Sequence, residues 1–219
     1  NNLKMKKLKL IFLGSVLLAL SLTYYSCKKD SIVSTGDVSI TNVVKIKFTS
    51  AVTISTSGSG SNSSITLKSN GLPNHKTPYW GSGNALYEPF PSGNAPNVNT
   101  EMIAHNYAMT IPSNPDEASS KEATSLGEIG MALNGVPIFN DREGGNVALD
   151  AKTVTTFDYS GAHPSPSKNY HYHTTGRYTS VDDAKLIGFL RDGFPIYGRK
   201  DTTGLYPTLD NYGGHFGPT

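Results

Sequence analysis

Hydrophobic and polar residues alternate along the part of the chain between Val38 and Leu67. The segments "VVKIKFTS", "AVTIST" and "SSITLKS" intersperse Val, Ile and Phe with Ser, Thr and Lys. A period of two is typical of half-buried β-strands, because successive side chains point to opposite faces. The Gly/Ser run "TSGSGSNSS" between two of these segments predicts a hairpin loop, since the strand pattern resumes directly after it.

Helical patterns are scarce, and turn-forming residues are common. Only "NPDEASSKEATS", around residues 114–125, and "SVDDAK", with Ser180 as N-cap, predict short helices or turns. The 22 glycines, 13 prolines and 12 tyrosines fit a chain of short strands joined by tight turns. We therefore predict a mainly β fold: one antiparallel sandwich or barrel-like domain with few short helices and an internal duplication.

The segment "KNYHYHTTG", Lys168 to Gly176, alternates two tyrosines with two histidines. On a β-strand, His171 and His173 share one face, and Tyr170 and Tyr172 share the other. The tyrosine face can bury its rings while the hydroxyls contact polar partners. The histidine face presents two imidazoles that can converge on one small ligand.

The internal duplication is predicted from three segments, "NGLPNHKTPYW", "NGVPIFN" and "DGFPIYG". Asn/Asp-Gly followed by an apolar residue and proline is typical of a turn that leads into an edge strand. The second and third copies match further, because "EIGMALNGVPIFN" leads to "GAHPSP" and "LIGFLRDGFPIYG" leads to "GGHFGPT". We predict repeat units at about 126–176 and 184–219. We also expect that the sequence is truncated at the C-terminus, the alternative being a second unit without a final strand.

The amino end has the pattern of an export signal. A lysine-rich start precedes the apolar run Leu10 to Leu22, which is too short for a stable membrane span. Cys27, which follows Ser26, resembles the lipid-modified cysteine of bacterial lipoproteins. We predict a lipoprotein signal peptide at 1–26, a tether at 27–36 and one β domain at 37–219, with the membrane as a partner through the lipid. The alternatives are cleavage by ordinary signal peptidase and a retained thiol.

Removing residues 1–26 takes away four lysines and no acids, so the formal charge falls from +2 to −2. The charge that remains does not favour a nucleic-acid partner. We expect a location in the cell envelope, as an outer-membrane lipoprotein, and the charged "KKDS" after the cysteine favours surface exposure. The single cysteine allows no internal disulfide, so packing, or a bound ion, must stabilise the fold.

The segments "NGLPNHKTPYW", "IGMALNGVPIFN", "GAHPSPSKNYHYHTT" and "LIGFLRDGFPIYG" together resemble the YHYH-domain family of exported bacterial proteins. The resemblance runs from about Gly71 to the end of the chain. It implies a secreted or lipid-anchored protein and a domain architecture. It implies no particular chemistry, because the activity of the family is unassigned.

The histidines are the candidate metal ligands. A His-x-His pair on one strand, with a third histidine on a neighbouring strand, is a common arrangement for zinc or copper. His163 is the predicted third ligand, because a chain that reverses after it lies beside the tyrosine–histidine strand. His75 and His215 occur in the repeated segments and complete the candidate set. The alternative is that His171 and His173 cap a polar sheet face and bond to the backbone or to Asp158.

Two further hypotheses come from other functional classes. In a metal-dependent enzyme of unknown substrate, Asp158, Asp192 or Glu143 would orient a histidine, although no nucleophile elbow or His-Glu-x-x-His helix occurs. In a metal-free adhesion or glycan-binding module, Trp80 and Tyr79 would stack on a ligand. The acidic "DREGGN" loop fails the calcium-loop spacing and predicts a turn.

Overall fold

The computed structural model of the protein describes residues 40–96, 98–178, 185–201 and 203–216. The predicted signal peptide, Cys27 and the tether lie outside the described residues. So does most of the "SVDDAK" segment.

The first described element is the helix α1, Ile40–Lys47, where the alternation predicted a strand. That prediction is wrong. A strand would place Val44, Ile46 and Phe48 on one face, but Ile46 is 77 % exposed while the other two are buried. Ile40, Val44 and Phe48 are four residues apart, so a helix puts all three on the side that packs into the core.

A three-stranded antiparallel sheet follows, and its first two strands match the sequence prediction. Its strands are β1 (Thr53–Ser57), β2 (Ser64–Ser69) and β3 (Tyr107–Pro112). Strands β1 and β2 form a hairpin over the Gly/Ser run, which contains a short 3-10 turn at Gly60–Asn62. Strand β3 returns to pair with β2 along six residues.

A second sheet of six strands carries the tyrosine–histidine segment. Its strands are β4 (Glu128–Ala132), β5 (Pro137–Phe139), β8 (Ala162–Pro164), β9 (Tyr170–Tyr172), β10 (Leu186–Leu190) and β11 (Pro195–Tyr197). Their order in the sheet is β11-β10-β4-β5-β9-β8, and neighbouring strands are antiparallel except for the parallel pair of β5 with β9. A two-stranded ribbon, β6 (Arg142–Glu143) with β7 (Val147–Ala148), and the one-turn helix α2 (Ala151–Val154) connect β5 to β8.

The predicted fold class is confirmed, because the domain is mainly β with few short helices. The sheets are open and not a closed barrel. The segment 114–125 forms bends without a helix, and the first residues of "NGLPNHKTPYW" lead to a 3-10 turn at Pro78–Trp80. Among the described residues, no helix has the length and apolar character needed to cross a membrane.

Two hydrophobic clusters fill the interior. The first joins α1 and the three-stranded sheet to the centre of the six-stranded sheet, where β4 supplies Met131 and β10 supplies Phe189. The second lies beneath β9 and contains Tyr170, Tyr172 and Tyr79. Strand β9 therefore has its tyrosine face in a core, and its histidine face is turned away from that core.

The internal duplication is visible in the centre of the six-stranded sheet. In the hairpin β4–β5, Gly130 pairs with Ile138, and in the hairpin β10–β11, Gly188 pairs with Ile196, so each partner is shifted by the same 58 residues. Both hairpins have a register irregularity just before these glycines. Because β4 and β10 pair antiparallel, the two hairpins lie side by side in opposite directions.

Candidate metal centre

His163 and His171 face each other across the short ladder of β8 and β9. They are direct cross-strand partners, flanked by the pairs Ala162 with Tyr172 and Pro164 with Tyr170. Cross-strand partners project from the same face of a sheet, so both imidazoles lie on the histidine face of β9. Both side chains are almost completely buried.

His173 and Glu143 complete a group of four. His173 lies one residue beyond β9, and its Nε2 is 3.0 Å from Nε2 of His171. The ribbon β6–β7 brings Oε1 of Glu143 to 3.0 Å from Nε2 of His163 and 3.3 Å from Nε2 of His173. One ligand atom from each of the four side chains lies within 4.8 Å of all the others. We call these four residues the histidine–glutamate cluster.

The hydrogen bonds of Nδ1 set the tautomers of His171 and His173. Nδ1 of His171 is 3.0 Å from the carbonyl oxygen of Asn169, and Nδ1 of His173 is 2.6 Å from the carbonyl oxygen of Asn140. A carbonyl only accepts, so each Nδ1 carries the proton and donates it. In the neutral rings both Nε2 atoms therefore present lone pairs, and neither can donate to the other across 3.0 Å.

Thr156 sets the same tautomer in His163. The Thr156 hydroxyl donates to the carbonyl oxygen of Thr153 at 2.7 Å, which uses its only proton. The hydroxyl oxygen, 2.7 Å from Nδ1 of His163, must therefore accept a proton from this ring. Nε2 of His163 consequently also points a lone pair into the cluster. An outer partner of this kind is typical of metal-binding histidines.

The centre of the cluster contains acceptors without a matching donor. Nε2 of His163 and Oε1 of Glu143 are buried and have no hydrogen-bond partner, although they are only 3.0 Å apart. The two atoms are close enough for an ion pair, but their geometry is not that of a hydrogen bond. Buried polar atoms are normally paired, because an unpaired one costs about 1–3 kcal/mol. A cation placed between the four side chains would satisfy all of them together.

The spacing of the four donors can be compared with a zinc site. Metal–donor bonds of about 2.0–2.1 Å in a tetrahedron put neighbouring donors about 3.3 Å apart. The three short contacts of the cluster are 3.0, 3.0 and 3.3 Å. The planes of the three imidazoles are inclined to one another by 68–78°, so the rings approach from different directions.

Two phenylalanines enclose the histidines and lower the local polarity. The ring of Phe139 stacks on His171 at 4.0 Å, and the ring of Phe157 stacks on His173 at 5.4 Å and contacts His163 edge-on. Burial lowers the pKa of His163 to about 4, with a further contribution from the neighbouring His173. Burial, followed by the charges on the other two histidines, also holds the pKa of His171 well below its ordinary value. These two histidines are therefore neutral at neutral pH, the form that binds metal.

The comparison with protein families assigns this region. The family described as YHYH protein matches residues 108–210, which include all four members of the histidine–glutamate cluster. This segment is a YHYH domain. Comparisons with curated proteins and with solved structures found no match. The match establishes the family of the domain, and its chemistry must be argued from the site itself.

Asp158 lies on the tyrosine face of the YHYH domain and not among the histidines. Its Oδ2 accepts hydrogen bonds from the hydroxyls of Thr77 and Tyr170, each at 2.5 Å. Its Oδ1 accepts from the backbone N–H groups of Ser160 and Ala162. The prediction that Asp158 orients a metal-binding histidine is therefore corrected: this carboxylate holds the β8–β9 region from the opposite side. Burial raises its pKa.

The other two predicted histidines lie away from the cluster. His75 donates from Nδ1 to the carbonyl oxygen of Lys76, and its Nε2 is 2.7 Å from the hydroxyl of Tyr172 on the tyrosine face. His215 is exposed, in a loop beyond β11. Asp192 accepts a hydrogen bond from the backbone of Phe194 in the turn between β10 and β11. The metal cluster identified among the described residues contains none of these three.

The predicted stacking residues are only partly available. Tyr79 is 1 % exposed and is part of the second hydrophobic cluster, so its ring cannot stack on a ligand. Trp80 is half-buried, packs against the same cluster and donates from Nε1 to the carbonyl oxygen of His75. Tyr79 and Trp80 therefore help to pack the "NGLPNHKTPYW" segment against β9, and these contacts favour a structural role over ligand binding.

The sequence patterns indicated Glu143 only as one of three acids that would orient a histidine, and they did not indicate Thr156. The "DREGGN" segment was predicted to be a turn, but it contains strand β6 as well as the turn of the ribbon, and it brings a carboxylate to the histidines. One sequence signal was available for Glu143. It is the acid of this loop that aligns with an acid of the second repeat, Asp201, at the spacing of 58 residues that relates the two hairpins. No comparable sequence signal indicates Thr156, because its role depends on its contact with His163, which lies seven residues later in the chain.

Proposed function

We propose that this YHYH domain binds one transition metal ion, zinc or copper, through Nε2 of His163, His171 and His173 and a carboxylate oxygen of Glu143. The supporting observation is the convergence of four electron-pair donors with no proton donor between them. The alternative, in which the histidines only cap a polar face, accounts for the hydrogen bonds of Nδ1. It leaves the inward Nε2 atoms without a function.

The proposed ion has a structural role. Four protein donors close a tetrahedral site, whereas a catalytic zinc usually keeps one position for water. The ion would fasten the ribbon β6–β7, through Glu143, to β8 and β9, which carry the histidines. Such a cross-link suits an exported domain without an internal disulfide, because binding energy of the metal becomes folding energy. In a metal-dependent enzyme, Glu143 would have to leave the ion so that a water molecule could take its position. The side chain of Glu143 is 28 % exposed, so it is more accessible than the side chains of His163 and His173.

Metal analysis of the purified chain tests the proposal. After purification without chelators and incubation with zinc or copper, we expect one ion per chain by elemental analysis. The double variant His171→Ala with His173→Ala should contain none. Its matched control, Tyr170→Phe with Tyr172→Phe, should retain the ion, because those side chains point to the opposite face. A wild-type chain that takes up neither metal would disprove the proposed site.

We further propose that the domain acts in the cell envelope as a lipoprotein anchored through Cys27. The support comes from the sequence: the basic and apolar amino end and the cysteine directly after Ser26. Cys27→Ser should release the protein from the membrane fraction of cells. A variant that stays bound as firmly as the wild type would contradict the anchor and would leave the metal site untouched.

A further inference from the structure

The second repeat contains a copy of the turn that leads to His163, as well as a copy of the hairpin β4–β5. In the first repeat, Oδ1 of Asp158 accepts from the N–H groups of residues 160 and 162, at 2.7 and 3.3 Å. In the second repeat, Oδ1 of Asp210 accepts from those of residues 212 and 214, at 2.8 and 2.9 Å. The backbone bonds across the two turns also match. Gly161 and Gly213 both have positive φ angles, 71° and 81°.

Two members of the histidine–glutamate cluster therefore have counterparts in the second repeat. The hairpins are shifted by 58 residues, and this shift relates Glu143 to Asp201. The turns are shifted by 52 residues, and this shift relates His163 to His215. The counterpart of strand β5 is β11, whose outer side pairs with no strand among the described residues, whereas β5 pairs there with β9.

The surface that β9 covers in the first repeat is open in the second. Phe157, which packs on His163 and His173, is 4 % exposed, while its counterpart Leu209 is 54 % exposed. His163 is buried, and its counterpart His215 is exposed. An open cavity of about 630 Å³ lies here, lined by residues that include Asp201, Leu209, Asp210, Gly214, His215 and Phe216. We call these six residues the second half-site.

We propose that the second half-site binds a strand with alternating tyrosines and histidines, of the same type as β9, and that the docked strand completes a second transition-metal site with Asp201 and His215. The strand pairs in parallel with the open edge of β11, as β9 does with β5. Its two histidines supply the donors that His171 and His173 supply in the first centre. This inference rests on the metal-binding function proposed above.

The chemistry of the half-site fits such a strand and not an arbitrary apolar segment. Oδ1 of Asp210 accepts the backbone hydrogen bonds of its turn, as Oδ1 of Asp158 does. Oδ2 of Asp210 can therefore accept a tyrosine hydroxyl, as Oδ2 of Asp158 accepts that of Tyr170. The exposed side chain of Leu209 is in the position of Phe157 and can pack against an imidazole. Main-chain pairing along an open edge supplies affinity, and side chains at alternate positions supply specificity.

A peptide supplied in trans tests the inference. A fluorescent peptide with the sequence KNYHYHTTG, taken from residues 168–176, is titrated with the full 219-residue chain with and without zinc. We expect binding, measured by fluorescence anisotropy, only with zinc present, and a rise from one to two zinc ions per chain–peptide complex. A peptide with alanine at both histidine positions should not bind.

Substitutions in the half-site locate the binding. His215→Ala and Asp201→Asn are changes at side chains outside the hydrophobic clusters, so the fold and the first zinc ion should be retained while peptide binding is lost. Replacing the first tyrosine of the peptide by phenylalanine should weaken binding about tenfold, the equivalent of one buried hydrogen bond. A chain that holds one zinc ion but binds no peptide would overturn this inference and leave the first centre intact. So would peptide binding that is unchanged in His215→Ala.

Discussion

The two faces of strand β9 are both buried, but their polar atoms have different kinds of partners. On the tyrosine face, donors meet acceptors: the hydroxyl of Tyr170 donates to Asp158, and the hydroxyl of Tyr172 contacts His75 Nε2 and accepts from the side-chain amide of Asn134. On the histidine face, Nε2 lone pairs meet one another and a carboxylate oxygen.

This difference shows how burial alone fails to distinguish a structural network from a binding site. The protein itself satisfies the tyrosine face, so that face can stabilise the fold without any ligand. The histidine face has its outward Nδ1 atoms satisfied and its inward atoms unsatisfied, which is the arrangement of side chains that can hold a cation.

Zinc should stabilise the domain through the histidine face only. At a free zinc concentration of about 1,000 times Kd, the free energy of unfolding should rise by about 4 kcal/mol. Chelation should reverse the gain, and His171→Ala with His173→Ala should show none. Chemical denaturation with zinc and with a chelator measures both effects. An equal gain in the double variant would show that zinc acts elsewhere.

Removing the carboxylate from the tyrosine face should destabilise the fold with or without metal. Asp158→Ala leaves two buried hydroxyls and two backbone N–H groups without their acceptor, so we expect a loss of about 3–5 kcal/mol. The matched change on the exposed counterpart, Asp210→Ala, should cost much less. Denaturation midpoints in the presence of a chelator provide the measurement. Similar losses in the two variants would contradict the contrast between the faces.

Acid should destabilise the metal-free domain through His163. Its pKa is about 4 in the folded state and about 6.5 in the unfolded state, so between these values the unfolded state binds the additional proton. Stability is unaffected above pH 6.5 and is lost as the pH falls toward 4, by up to about 3 kcal/mol.

A neutral replacement isolates this contribution. The difference in unfolding free energy between the wild type and His163→Asn, both with chelator, should change over the same pH window. A difference that is constant from pH 7 to pH 4 would mean that His163 is not held neutral by burial.

Thr156 should influence metal affinity without touching the metal. Thr156→Val removes the acceptor that fixes the His163 ring, and loss of such an outer partner typically lowers affinity about 10–100-fold. Thr156→Ser keeps the hydroxyl and should restore most of the affinity. Competition with a zinc-sensitive dye measures both variants. Equal affinities in valine and serine variants would show that the hydroxyl does not position the ring.

Local pattern explains which parts of the fold were predictable. Strands β1 and β2 and their Gly/Ser loop follow from alternation and turn residues, which are properties of a few neighbouring residues. The segment of α1 alternates as well, but packing of Val44 and Phe48 against the core favours a helix. The alternation of β9 correctly separated its two faces, and the turn after His163 correctly placed this residue beside His171.

The sequence by itself indicated the mainly β class, the repeated hairpins and the family, and it included His163, His171 and His173 among five candidate metal ligands, because each of these depends on short-range spacing or on a repeated motif. Only the tertiary structure decided that Glu143 joins them, that Asp158 serves the opposite face, and that His75 and His215 lie elsewhere. Those assignments depend on the path of the chain between strands that are distant in sequence. The direction of a lone pair depends further on hydrogen bonds, such as that of Thr156, that form only when the chain is folded.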